Sequence, residues 1–248
     1  MMSTEEFGGR RCVVTGGAKG LGLAIGRIFA EGGADLVLCD RDQAALEQAA
    51  KEIEQFGARV ETYLCDVSIP QEVETFAAAV QARGTVDVLV NNAGFYKGKQ
   101  IREITLEDWD QAFSINLRSV FLMSRAFMDG MAERKYGRIV NIASVDAYIA
   151  KPTNCHYAAV KAGVISLTKS FGLELAPHGV LVNGVSPAAV ATDTAKSQGW
   201  LEKRILDIPL GYVAEPEMIA QVATFLASER NRFMAGEVVI ANGGLFSV

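Results

Sequence analysis

The sequence predicts an α/β fold, a doubly wound parallel sheet with helices on both faces. Short runs rich in Val, Ile and Leu alternate with longer stretches of helical period. Most of the short runs lack the apolar–polar alternation of a strand with one wet face, so they read as strands buried on both sides. A βαβα succession of this kind implies a parallel sheet. A glycine-rich turn, "TGGAKGLG" at 15–22, lies between the first strand candidate and the first helix.

The elements follow in order. "RCVVT" (11–15) is the first strand candidate, and a helical stretch near 20–32 follows it. "DLVLC" (35–39) precedes a helix near 42–56, and "RVETYL" (59–64) precedes one near 70–83. "VDVLV" (86–90) leads to a long helical stretch near 106–134. "GRIVNIAS" (137–144), a helix near 156–176, "VLVNGVS" (180–186), a helix near 216–228 and "EVVIA" (237–241) complete seven strands. No linker, repeat or low-complexity tract divides the 248 residues, so one domain over 1–248 is expected. The longest segment without a strand, about 188–212, reads as a binding loop for substrate.

Composition excludes several function classes. The formal charge is −5 and no basic stripe appears, so no nucleic-acid partner is expected. No apolar run reaches the roughly 18 residues of a membrane span. The acidic start "MMSTEEFGGR" has no apolar core of a signal peptide, which points to the cytoplasm. Cys12, Cys39, Cys65 and Cys155 form no C-x-x-C and read as thiols in a reducing compartment. His156 and His178 have no partners at metal-ligand spacing, so no metal site is expected.

The glycine turn carries the first chemical signal. Gly16, Gly20 and Gly22 directly follow a strand and open a helix, the context in which such glycines bind a dinucleotide. Glycine lets backbone approach a pyrophosphate, and the helix N-terminus offers free N–H groups. Lys19 and Leu21 belong to the same turn. Asp40, at the end of the second strand, suits the two hydroxyls of an adenosine ribose and would repel a 2′-phosphate. Lys19 and Arg41 point the other way, since either could attract that phosphate. Asp40 lies against the group that distinguishes the cofactors, so NAD is expected and NADP is the less favoured choice.

A second signal is "HYAAVK" at 156–161. Tyr157 and Lys161 stand four apart, which places them on one face of a helix. A cation favours a phenolate, so the pair is a candidate acid–base device.

T-G-x-x-x-G-x-G at 15–22, Asp66 with Val67, "NNAG" at 91–94, Asn116, Ser144 and Y-x-x-x-K at 157–161 occur in this order. Together they resemble the classical short-chain dehydrogenase/reductase family over essentially the whole chain, down to "ANGG" near the end. The resemblance implies a single Rossmann-like domain, a catalytic tetrad of Asn116, Ser144, Tyr157 and Lys161, and usually a homotetramer. It places Asp66 and Val67 at the adenine, Asn92, Ala93 and Gly94 on the adenosine side, and Pro187, Val190 and Thr192 at the nicotinamide. It gives Tyr157 the general acid–base role, helped by Lys161 and by the oxidised nicotinamide. Lys161 would also bond the nicotinamide ribose, Ser144 would orient the substrate oxygen, and Asn116 would position a water linked to Lys161.

The chain departs from the family pattern in places. Ala188 follows Pro187 where glycine is usual, and "PLGY" with Tyr212 replaces "PLGR". Leu173 stands where many 3-oxoacyl-carrier-protein reductases have an arginine thought to grip the carrier, although Lys135 keeps a positive charge at another docking position. The implied reaction is NAD(H)-dependent interconversion of a secondary alcohol and a ketone. Polar groups in three segments suggest a small polar substrate such as a polyol, sugar derivative or hydroxy acid. Tyr96, Asp146, Asn154 and Trp200 are the candidate substrate contacts, with Asp146 accepting a substrate hydroxyl. The alternatives are an NADPH-dependent 3-oxoacyl or general carbonyl reductase and a non-catalytic dinucleotide-sensing module.

Overall fold

The computed structural model describes residues 6–197, 199 and 201–247. Seven strands form one sheet: β1 (Arg11–Thr15), β2 (Asp35–Asp40), β3 (Val60–Leu64), β4 (Val88–Asn91), β5 (Gly137–Ile142), β6 (Val180–Pro187) and β7 (Val238–Ala241). All pairings are parallel, in the order β3-β2-β1-β4-β5-β6-β7. This is the single-domain, Rossmann-like doubly wound fold expected from the sequence. From β1 the chain first winds outward through β2 and β3, then returns to place β4 on the other side of β1. The crevice at the carboxyl ends of β1 and β4 is therefore the switch point where such sheets bind ligands.

Consecutive strand residues face opposite sides of the sheet, which explains the near-continuous apolar runs. Val14, Leu38, Val90 and Val140 pack beneath α1 (Gly20–Glu31), α2 (Gln43–Ile53) and α9 (Pro216–Ala227), with Phe29, Leu46 and Leu226. Their neighbours Val13, Val37, Leu89 and Ile139 pack on the other face with Phe76, Met123 and Phe127. That face carries α3 (Pro70–Gln81), α5 (Ser119–Glu133) and α6 (Cys155–Leu175). The edge strand β3 has no fully buried residue, which accounts for its more polar sequence, "VETYL".

Two features differ from the sequence reading. The long helix near 106–134 is α4 (Leu106–Phe113) and α5 joined by a π-helical turn, Ser114–Arg118. The segment after Pro187 contains two short helices, α7 (Asp193–Ser197) and α8 (Leu201–Ile205), which at five residues each are too short for periodicity to announce.

Candidate active site

The glycine turn is built for close backbone approach. Gly16 and Gly20 have φ of 61° and 54°, the left-handed region that disfavours any other residue. A Cβ on Gly22 would stand 2.0 Å from the Gly16 carbonyl oxygen. The first turn of α1 has no side-chain cap and no acidic residue, so its N–H groups face the crevice uncompensated. Such a cradle fits a pyrophosphate. Thr15 ties the turn to "NNAG": its Oγ1 accepts from the N–H groups of Asn92 and Ala93, each at 3.0 Å. Asn92 Nδ2 donates to the carbonyls of Thr15 (2.9 Å) and Gly16 (3.0 Å). Leu21 packs on the core beneath the turn.

Gly16, Asp40, Arg41, Asp66, Val67 and Ala93 line one cleft, together with Gly94 and Cys65. Asp40 is held in place: Oδ2 accepts from Ala18 N–H (3.3 Å) and Oδ1 from Asp42 N–H (3.2 Å). Lys19 does not turn toward that cleft but pairs with Asp42 at 2.6 Å. Asp66 is fixed through Oδ1, which accepts from Ser68 N–H (2.9 Å) and Ser68 hydroxyl (2.7 Å). Beyond β6, Val190 bridges to Ala214, and the Thr192 methyl lies 3.1 Å from where a Gly20 Cβ would be. The loop thus leans on the glycine turn. Ala188 donates its N–H to Ala241 O (3.1 Å) and lines an apolar cavity of about 390 Å³ with Leu210, Tyr212 and Met218.

Ser144, Tyr157, Lys161 and Asn116 converge near the carboxyl ends of β4 and β5. Ser144 follows β5, is buried, and lies beside the Tyr157 hydroxyl. Tyr157, in the first turn of α6, is half-buried. Lys161 lies one turn further, is 4% exposed, and donates from Nζ to Ile142 O at 2.7 Å. Its ammonium stands 5.7 Å from the centre of the Tyr157 ring. A Gly94 Cβ would meet Asn116 Oδ1 at 3.1 Å and Lys161 Nζ at 3.7 Å, so only glycine leaves room between them. Buried Asn91, Asn141 and Thr168 support this floor through a chain of side-chain hydrogen bonds across β4, β5 and α6.

The family model described as enoyl-(acyl carrier protein) reductase matches residues 16–246. The 3-oxoacyl-[acyl-carrier-protein] reductase FabG of Thermotoga maritima is 35% identical over 240 residues, covering 96% of this chain and 98% of that protein. Gluconate 5-dehydrogenase of Gluconobacter oxydans is 33% identical, covering 97% and 96%. A solved 3-oxoacyl-[acyl-carrier protein] reductase with bound NAD from Brucella melitensis superposes with a TM-score of 0.90 at 30% identity, covering 99% of this chain and 94% of that one. The chain belongs to the short-chain dehydrogenase/reductase family. This family member is therefore an NAD(P)-dependent oxidoreductase acting on alcohols or ketones, and the sensing-module alternative falls.

The surroundings shift both Tyr157 and Lys161 in this dehydrogenase/reductase. Removal from water pushes the phenol well above its ordinary range, the charge of Asp146 pushes it further, and the Ser144 hydroxyl only partly offsets this. Burial instead lowers the Lys161 ammonium to about 8. The Asn116 amide is engaged by protein groups. Oδ1 accepts from Phe95 N–H (3.0 Å), and Nδ2 donates to Phe95 O (3.0 Å) and Ala112 O (3.1 Å), so the side chain clamps the turn after β4.

The substrate candidates divide. Tyr96 stands edge-on to Tyr157, with ring centres 5.0 Å apart. Asp146 is buried and already committed, pairing with Lys151 through Oδ1 and accepting from Asn154 Nδ2 (2.6 Å) through Oδ2. A substrate hydroxyl would have to share one of these oxygens. Asn154 is fully buried and supports Asp146 through its side-chain amide. Trp200 lies outside the described residues. Lys151, in "AKPTN", was not singled out from the sequence, because only the folded loop brings it back to Asp146.

Proposed function

We propose that this enzyme is an NAD(H)-dependent dehydrogenase that interconverts a small polar secondary alcohol, such as a polyol, sugar derivative or hydroxy acid, with its ketone. The observation that carries the reading is the polar cluster beside Tyr157: Tyr96 against its ring, and buried Asp146 held by Lys151 and Asn154. An apolar ketone site would have aliphatic and aromatic walls there. The anchored Asp40 and the diversion of Lys19 to Asp42 support NAD over NADP. The relative named gluconate 5-dehydrogenase and the neighbour solved with NAD accord with this choice.

In alcohol oxidation Tyr157 takes the hydroxyl proton, and in reduction it returns it. Ser144 orients the substrate oxygen from beside the phenol. The nicotinamide, when bound, accepts or donates the hydride and in its oxidised form adds the second positive charge that phenolate formation needs. Lys161, anchored on Ile142 O, holds the nicotinamide ribose. A proton relay at Asn116 runs through its backbone, since its amide is taken. The loop 188–212 closes the substrate side, with Pro187, Val190 and Thr192 at the nicotinamide. We place the enzyme in the cytoplasm, which its buried thiols Cys12, Cys39 and Cys65 favour. No helix among the described residues is long and apolar enough to cross a membrane. A homotetramer is supported by Leu106, Trp109, Phe113 and Phe121, which leave apolar surface uncovered on α4 and α5.

A second reading, an NADPH-dependent 3-oxoacyl reductase, is favoured by the names of the FabG relatives. Against it, the position expected to grip a carrier is Leu173, 83% exposed and uncharged. Steady-state assays with NAD and NADP against polyols, hydroxy acids, simple ketones and a 3-oxoacyl thioester separate the two. Higher kcat/KM with NAD and a polyhydroxy substrate supports the proposal. Higher kcat/KM with NADPH and the thioester rejects it.

A further inference from the structure

The segment between β5 and α6 fixes a buried carboxylate next to the acid–base tyrosine. Asp146 is 8% exposed. Its N–H donates to Ser144 Oγ at 3.1 Å, which ties it to the serine beside Tyr157. Its charge reaches both Tyr157 and Tyr96 and disfavours ionisation of each. A carboxylate in this place opposes the task of a base that must become a phenolate.

Lys151 answers that charge. Among the described residues it is the only cation within ion-pair reach of Asp146. The side chains are 20% and 9% exposed, so water and salt screen the pair weakly. The groups facing Tyr157 can be named by element. They are Asp146 and Ser144 from the β5–α6 segment, with Lys151 paired to Asp146, Tyr96 from the turn after β4, and Lys161 from its own helix. Arg204 of α8 acts on Tyr96. Lys161 responds to burial alone.

We propose that Lys151 is a positioning residue that acts through Asp146: by pairing with that carboxylate it shields Tyr157 from a buried negative charge and sets the pH range of alcohol oxidation. The inference rests on the reading of Tyr157 as the acid–base group. Without Lys151 the carboxylate is left uncompensated in a water-poor site, and Tyr157 gives up its proton only at higher pH. Without the Asp146 charge, the ammonium that remains favours the phenolate.

The test is the pH dependence of kcat/KM for alcohol oxidation. Lys151→Met is expected to move the acidic limb upward by about one pH unit, a size typical of a nearby charge. Asp146→Asn is expected to move it downward, and the double variant returns it close to wild type. Lys151→Arg, which keeps the charge, holds the wild-type limb. If Lys151→Met does not fold, Asp146→Asn and Lys151→Arg decide the matter. An unmoved limb in Lys151→Met, or shifts of the same sign in both single variants, overturns the proposal and reduces Lys151 to a loop anchor. Residual activity of Tyr157→Phe that retains the wild-type limb overturns the reading of Tyr157 as well, which distinguishes the two failures.

Discussion

Lys161 is a cation where cations are expensive. Buried at 4% exposure, its ammonium titrates near 8 rather than at its ordinary 10.5. Between these values the unfolded chain holds a proton that the folded enzyme has released. Folding stability therefore rises with pH across that window, relative to a variant without the group. The gap in Tm between wild type and Lys161→Met is expected to move in favour of wild type as pH rises from about 8 toward 10.5. A gap that is flat with pH would mean the lysine is hydrated and not buried as described. Residue types and spacing were enough to single out Gly16, Gly22, Asp40, Tyr157 and Lys161 as candidates, because chemistry restricts what stands at those places, whereas Ser144 came only through the family resemblance. Lys151 was not legible, since a lysine five residues from an aspartate signals nothing until the loop folds back. The same holds for Asn116, whose residue type was legible but whose partners, Phe95 and Ala112, were not.

At the scale of elements, the crevice depends on three close approaches: β1 turn to "NNAG", the π turn to the segment after β4, and the β6 loop to Gly20. The first is the tightest. Gly22→Ala would drive a methyl into the Gly16 carbonyl, and backbone cannot give way there without moving the cradle. Overpacking of this kind costs about 1–3 kcal/mol, and dinucleotide affinity should fall with it. Thermal melts and a dinucleotide titration check this; an unchanged affinity would show that the turn does not hold the pyrophosphate. In the second approach, Asn116→Ala removes the side-chain partner of the Phe95 N–H and the Phe95 carbonyl, both part-buried. The expected loss is about 1–3 kcal/mol per stranded group at the upper end, read by urea unfolding. Strand boundaries were legible within a residue or two from the apolar runs. The π turn was not, because inserting one residue into a helical ladder barely alters the periodicity of the sequence around it.

For the whole molecule, the doubly wound sheet sets the dinucleotide cradle and the Ser144–Tyr157–Lys161 group at neighbouring strand ends, and Thr192 after β6 leans on the cradle at Gly20. The uncovered apolar side chains on α4 and α5 predict that the chain does not act alone. Light scattering should give the mass of four chains, and Leu106→Glu should lower it; a monomeric wild type would contradict the assembly. The central claim is that this site oxidises alcohols with Tyr157 as the proton-transfer group, and Tyr157→Phe tests it most directly. The substitution keeps the ring against Tyr96 and removes only the hydroxyl. Turnover, followed by absorbance of the reduced nicotinamide, is expected to fall by about 10²–10⁴-fold, while NAD affinity measured by titration stays near wild type. A variant that keeps more than about a tenth of wild-type kcat would contradict the account, because that loss is smaller than general acid–base catalysis supplies.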